Sequence, residues 1–264
     1  MSPLRTSSVN AINSFSAKYE ECEQLLEQAS EHERVSPFRM QLIEYAERLV
    51  RLHPDNADAY HMLGLAWYEY PSSASFRFWR CRMALERATA IDPDHQYALQ
   101  YLAYLAFDQE RYNEALRFQA RLRPSYFIER DQEWRALKNA ETVLVCRMKC
   151  EPHVFPQEEF AKFRSWYLDA RKREDGFGDG SYVPPQELRE YAEWVFESGA
   201  QFPDSRLNDI LTFLHTILYH DTIRSPTLRA RAEQLTARSE IESIRGDKIA
   251  PTATLIDVEQ ATSA

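Results

Sequence analysis

Proline closes an apolar-periodic stretch three times in this chain, and an acid follows each time. The tetrapeptides are His53-Pro54-Asp55-Asn56, Asp92-Pro93-Asp94-His95 and Phe202-Pro203-Asp204-Ser205. Proline lacks a backbone N–H and crowds the preceding turn, so it ends a helix. The Asn, Asp or Ser behind it can accept an N–H from the first turn of the next helix. Such a short joint returns the chain against the helix it has just left, so neighbouring helices pack antiparallel. Pro54 and Pro93 stand 39 residues apart with one helix pair between them, which is an internal repeat.

Apolar residues recur at three and four along most of the chain, the periodicity of a helix. It predicts helices over 13–31, 37–53, 57–69, 75–91, 96–109 and 112–122. It predicts further ones over 130–149, 156–172, 184–200, 205–220 and 226–244, and no strand. Glycine agrees with this: there are only 6 in 264 residues, against about 7% in average usage. Gly176, Gly178 and Gly180 form one cluster, so little glycine remains for hairpins or phosphate-cradling loops. That argues against an all-β fold and against Rossmann or P-loop enzymes.

The helix pairs resemble the tetratricopeptide repeat. That family's first helix reads Trp-x2-Leu-Gly-x2-Tyr, and here Tyr60-x2-Leu63-Gly64-x2-Trp67 stands in its place. Its second helix reads Ala-x3-Phe-x2-Ala with a proline beyond. Cys81, Leu85, Ala88 and Pro93 keep that spacing as small, large, small and breaker residues. Leu99-x2-Leu102-Ala103-x2-Ala106 and Tyr112-x2-Ala115-Leu116 repeat the theme. Leu42-x3-Ala46-x2-Leu49 before Pro54 matches a preceding second helix, and Trp134-x2-Leu137 opens a further first helix. The sequence departs from the family in two places. About five extra residues lie near Pro71–Ser75, and Pro124 arrives early. Beyond Pro124 only periodicity and the Pro203 joint continue the pattern.

The resemblance implies an all-α, right-handed superhelical solenoid of about five antiparallel helix pairs. The expected division is a disordered N-terminus over 1–11 and helical repeats over 12–125. A C-terminal helical region follows over 126–245, with a Gly-rich loop near 174–183, and then a flexible tail over 246–264. First helices of such a solenoid line a concave wall. The resemblance places Asp58, His61, Leu65 and Tyr68 there from one unit, and Tyr97, Gln100, Tyr101, Tyr104 and Asp108 from the next. Tyrosine supplies large contact area with a polar tip, which suits a protein segment. The expected role is a non-catalytic adaptor or scaffold binding a basic or amphipathic partner segment. The Lys, Asn and Arg set with which chaperone-binding members clamp a carboxylate is missing. Two other classes stay open: a sensor that binds a peptide or small ligand, and the helical subunit of a multi-chain enzyme. A further alternative for the wall itself is that neighbouring helices bury several of these tyrosines.

Sites for chemistry are sparse. Cys146-x3-Cys150-x2-His153 offers three zinc-type ligands where a closed site needs four. His215 and His220 are five apart, about 140° around a helix. The acids of Glu174–Gly180 resemble the start of a calcium loop, but the twelfth position from Asp175 is Gln186 where a bidentate Glu is required. No metal or cofactor is expected. The four cysteines, Cys22, Cys81, Cys146 and Cys150, lack a disulfide framework and read as thiols of a reducing cytoplasm. A net charge of −9 argues against nucleic acid. No apolar run is long enough for a membrane span, and Met1–Ser16 has no apolar core for a secretory signal. Phe76, Phe78 and Trp79, interleaved with Arg77 and Arg80, admit two readings. They form either a buried aromatic stripe with snorkelling arginines or a protruding partner contact. Leu255, Ile256 and Val258 make a small apolar island in the tail.

Overall fold

The structure, a computed structural model, describes residues 37–70, 75–152, 154–173, 185–198, 204–217 and 226–234. The expected helix over 13–31, the termini over 1–11 and 246–264 and the Gly-rich loop lie outside these residues. So do Cys22, the Pro71–Ala74 insertion, His153, Pro203, His220 and the tail island. The described residues are all-helical and contain no strand. The helices are α1 Pro37–Leu52, α2 Ala57–Tyr68, α3 Ser75–Ile91, α4 Gln96–Asp108 and α5 Tyr112–Gln119. They continue with α6 Pro124–Ile128, α7 Glu133–Cys150, α8 Gln157–Lys172, α9 Gln186–Ser198 and α10 Asp204–Ile217. A last helix, α11, covers 226–234.

Helices α2 and α4 start directly after proline joints, and the capping chemistry there is visible. The Asn56 side chain accepts from the Ala59 N–H at 3.2 Å. At the second joint the cap is His95, not the expected acid: its Nδ1 accepts from the Ala98 N–H at 3.1 Å. Asp94 is instead held by its own backbone N–H, which donates to Asp92 Oδ1 at 3.0 Å. The early Pro124 also differs from expectation. It opens the short helix α6 at the first helical position, where its missing N–H leaves no bond unmade.

Two helix stops that lack proline, those of α4 and α6, are made by a different device. Glu110 and Asp131 have φ of 57° and 58°, the left-handed region that usually selects glycine. Around Glu110, its own N–H donates to Phe107 O at 2.8 Å, and Arg111 N–H donates to Ala106 O at 2.8 Å. Asp131 N–H to Ile128 O and Gln132 N–H to Phe127 O repeat the pattern at 3.0 and 2.9 Å. These are Schellman closures built without glycine.

The chain divides into two compact units, Met1–Val183 and Pro184–Ala264. In the first, consecutive helices pack on each other from α1 to α5 and from α6 to α8, most extensively α2 on α3 and α4 on α5. Helices that are not consecutive also touch: α2 meets α4, and α4 meets α7. Helix α7 packs on α5 as well, so contacts run across residue 125, where the sequence suggested a boundary. One core joins Leu42, Ala46 and Leu49 of α1 to Ala59, Met62 and Ala66 of α2. The next joins Cys81, Leu85 and Ala88 of α3 to Ala98, Leu102 and Leu105 of α4. Gly64 has a packing reason. A Cβ there would stand 2.5 Å from Leu85 Cδ2, so α2 and α3 close on each other where α2 has no side chain. In the second unit α9 packs on α10, with Leu188, Tyr191, Ile210, Leu211 and Phe213 buried. Arg231 of α11 donates to Asn208 Oδ1 at 2.9 Å.

Of the two readings for the aromatic stripe, the buried one fails. Phe78 is half-buried, but Phe76 and Trp79 are 52% and 53% exposed.

Candidate functional site

The side chains expected to line a wall are gathered on α2 and α4, but they form layers and not one open surface. His61 is 3% exposed and Gln100 is fully buried. Both are therefore covered, which differs from their expected place on an open wall. The reason is the aromatic packing above them. The His61 ring lies 5.2 Å from that of His95 and 5.7 Å from those of Tyr97 and Tyr101, between centroids. Leu65, Tyr68, Tyr97, Tyr101 and Tyr104 are half-buried, while Asp58 and Asp108 are exposed.

Tyr68, Tyr101 and Tyr104 form a row of edge-to-face rings. Centroids are 5.3 Å apart for the first pair and 5.9 Å for the second. Edge-to-face packing sets the positive rim of one ring on the negative face of the next. The hydroxyl tips are also fixed. Tyr68 donates to Asp108 Oδ2 at 2.7 Å, and Tyr97 donates to Gln132 Oε1 at 2.8 Å. Tyr104 donates to Asn139 Oδ1 at 3.1 Å. Burial raises the Tyr68 phenol above its ordinary pKa, and the Asp108 carboxylate adds to the rise. Burial likewise raises Tyr97 and Tyr101. These are neutral donors, not candidate bases.

Sequence reading missed a third contributor, α7. Asn139 Oδ1 also accepts from Gln100 Nε2 at 2.9 Å, and Arg135 Nη1 donates to Gln100 Oε1 at 2.9 Å. The Arg135 guanidinium lies 5.3 Å from the Tyr97 ring centroid. A signal for this existed. His61, Gln100 and Asn139 follow at steps of 39 residues, and each is a buried polar side chain.

His61 has no hydrogen-bond partner at either ring nitrogen. Burial, reinforced by His95, pushes its pKa down to about 3, so it is neutral. His95 donates from Nε2 to Asp58 Oδ1 at 3.0 Å, because its Nδ1 already accepts from Ala98. That bond holds the Asp58 carboxyl below its ordinary value. His95 is thereby committed to structure at both nitrogens.

Little here suits covalent chemistry. Burial pushes the Cys81 and Cys146 thiols up to about 12, so neither is a thiolate nucleophile. Cys150 donates to Asn113 Oδ1 at 3.4 Å. Among the described residues no group of three or more His, Cys, Asp or Glu could hold a metal ion. None of their helices is long and apolar enough to cross a membrane. The arrangement offers a preformed aromatic surface with polar rims. Comparison of the chain with protein-family models yields no match, and comparison with curated proteins yields none either.

Proposed function

We propose that this protein is a non-catalytic adaptor or scaffold of the tetratricopeptide type, working in the cytoplasm. In this reading the helix pairs form a right-handed superhelical solenoid of about five pairs. Support comes from the neighbour-on-neighbour packing and from the contacts of α2 with α4 and of α4 with α7. First helices in register would build the concave wall of such an array. The partner is a protein segment, basic or amphipathic, laid along Tyr68, Tyr101 and Tyr104. Asp58 and Asp108 supply acidic groups beside that row.

One observation carries the reading. The tyrosine row is held by ring-to-ring packing and by bonds to Asp108 and Asn139. A surface ordered before binding loses little side-chain entropy when a partner arrives. The experiment is an affinity pull-down with mass spectrometry, comparing the full chain with Tyr101→Ser/Tyr104→Ser. Melting by circular dichroism checks that the variant folds. The expected result is loss of the captured partners from a folded variant. An unchanged set of partners rejects the wall.

A further inference from the structure

Helix α3 turns its small and large core residues inward: Cys81, Leu85 and Ala88 are fully buried, and Ala84 nearly so. Its other face is unusual. Phe76, Trp79 and Met83 are 52%, 53% and 51% exposed. They recur at three and four residues, so they form one ridge about 10 Å long. Arg80 and Arg87 are exposed on the same face. A single exposed apolar residue needs no explanation, but three in register on one helix mark an interaction surface. Trp, Phe, Met and Arg are the types enriched at protein interfaces.

The arginines are arranged and not merely present. The Arg80 guanidinium lies 5.0 Å from the Phe76 ring centroid, 5.5 Å from that of Trp79 and 5.8 Å from that of Trp67. It is held over an aromatic floor by cation–π attraction, with its donors available to a further group. Arg87 lies 5.8 Å from the Tyr60 centroid. Arg82, by contrast, is consumed by Glu86 and Glu114 at 2.7 and 2.6 Å. The ridge therefore carries two cations that no carboxylate of the described residues neutralises.

We infer that the exposed face of α3 is a second docking surface, and that its occupant is an acidic amphipathic helix of a partner protein. This goes beyond the tyrosine wall, with which it shares no residue. The partner's apolar stripe would cover Phe76, Trp79 and Met83, and its carboxylates would meet Arg80 and Arg87. A straight ridge with apolar positions at helical spacing matches a second helix lying alongside it. An anionic membrane also attracts aromatic and arginine side chains. The chain's net charge of −9 opposes that alternative, because the molecule as a whole is repelled from an anionic surface. A local basic patch on an acidic protein selects an acidic group small enough to reach the patch alone.

Fluorescence polarisation with a labelled model helix tests this. The probe is the heptad Leu-Glu-Glu-Leu-Leu-Glu-Glu repeated to about 18 residues, which keeps leucine on one face and is long enough to hold a helix. Its control has every Glu replaced by Lys. The full chain should give a saturable rise with the acidic probe and none with the basic one. Trp79→Ser and Arg80→Glu should each weaken binding about tenfold or more. Both positions are exposed, so melting should not change. Tyr101→Ser/Tyr104→Ser should leave this binding intact, which separates the two surfaces. Equal binding of both probes, no saturable rise, or undiminished binding by the two α3 variants overturns the proposal. Two other results overturn it as well. One is co-sedimentation with phosphatidylserine vesicles that Trp79→Ser abolishes. The other is a concentration-dependent doubling of mass that Trp79→Ser abolishes, which would make a second copy the occupant.

Discussion

His61 occupies a place that neither solvent nor a hydrogen-bond partner reaches. A buried imidazole with two unpaired nitrogens costs stability, because water satisfied both in the unfolded chain. It must also stay neutral. Its folded pKa of about 3 lies below the unfolded value of 6.5. Between those values the unfolded chain binds the extra proton, so stability falls as pH falls from about 6.5 towards 3. Above that window the residue contributes no pH dependence. The limiting slope is about 1.4 kcal/mol per pH unit for one group. His61→Leu should flatten this acid limb in melting curves recorded against pH. It should also match or exceed the parent's stability at neutral pH, since two unsatisfied polar atoms disappear. A parent and variant with parallel acid limbs would show that His61 is not the group responsible.

At the scale of helices, two kinds of stop stand out among the described residues, the proline joint and the left-handed closure. Proline joints were legible, because proline forbids continuation wherever it stands. Periodicity placed the break at 110–111, but the left-handed closures at Glu110 and Asp131 were not legible, because neither residue is a helix breaker. Only the closed 6→1 and 5→2 bonds reveal them. A non-glycine residue in the left-handed region costs roughly 1–2 kcal/mol. Glu110→Gly should therefore stabilise the protein by about 0.5–1 kcal/mol, after subtracting glycine's greater freedom in the unfolded chain. Asp131→Gly should gain less, since Asp tolerates this conformation better. Urea denaturation midpoints measure both. A loss of stability on Glu110→Gly would mean that the glutamate side chain itself holds the joint.

At the scale of the molecule, the first unit is bound together by contacts between helices close in sequence. Stability in such an array is nearly a sum of local and neighbour contributions. Gly64→Ala forces a Cβ against Leu85 and should cost about 1–3 kcal/mol despite the better helix propensity of alanine. Asn139→Ala removes the acceptor for Gln100 and Tyr104 and should also cost about 1–3 kcal/mol. The two sites lie on α2 and α7 and share no partner. Their losses should add within about 0.5 kcal/mol in denaturant titrations of the double variant. A larger discrepancy would mean that the helices respond as one body.

Most of the described helices, though not the short α6, and the 39-residue step could be read from residue order, because a helix repeats its own faces every three to four residues whatever surrounds it. The small residue at Gly64 could be read too, since only a close crossing explains a glycine inside a helix. Which faces stay uncovered could not. Phe76, Trp79 and Met83 have the spacing of a core stripe, yet no described helix lies over them, while Cys81 and Leu85 on the same helix are fully buried. His61 and Gln100 have the polarity of surface residues, yet the tyrosine layer and α7 bury them. Periodicity names the faces of a helix. Exposure depends on where the neighbouring helices stop, and that is a property of the packed molecule.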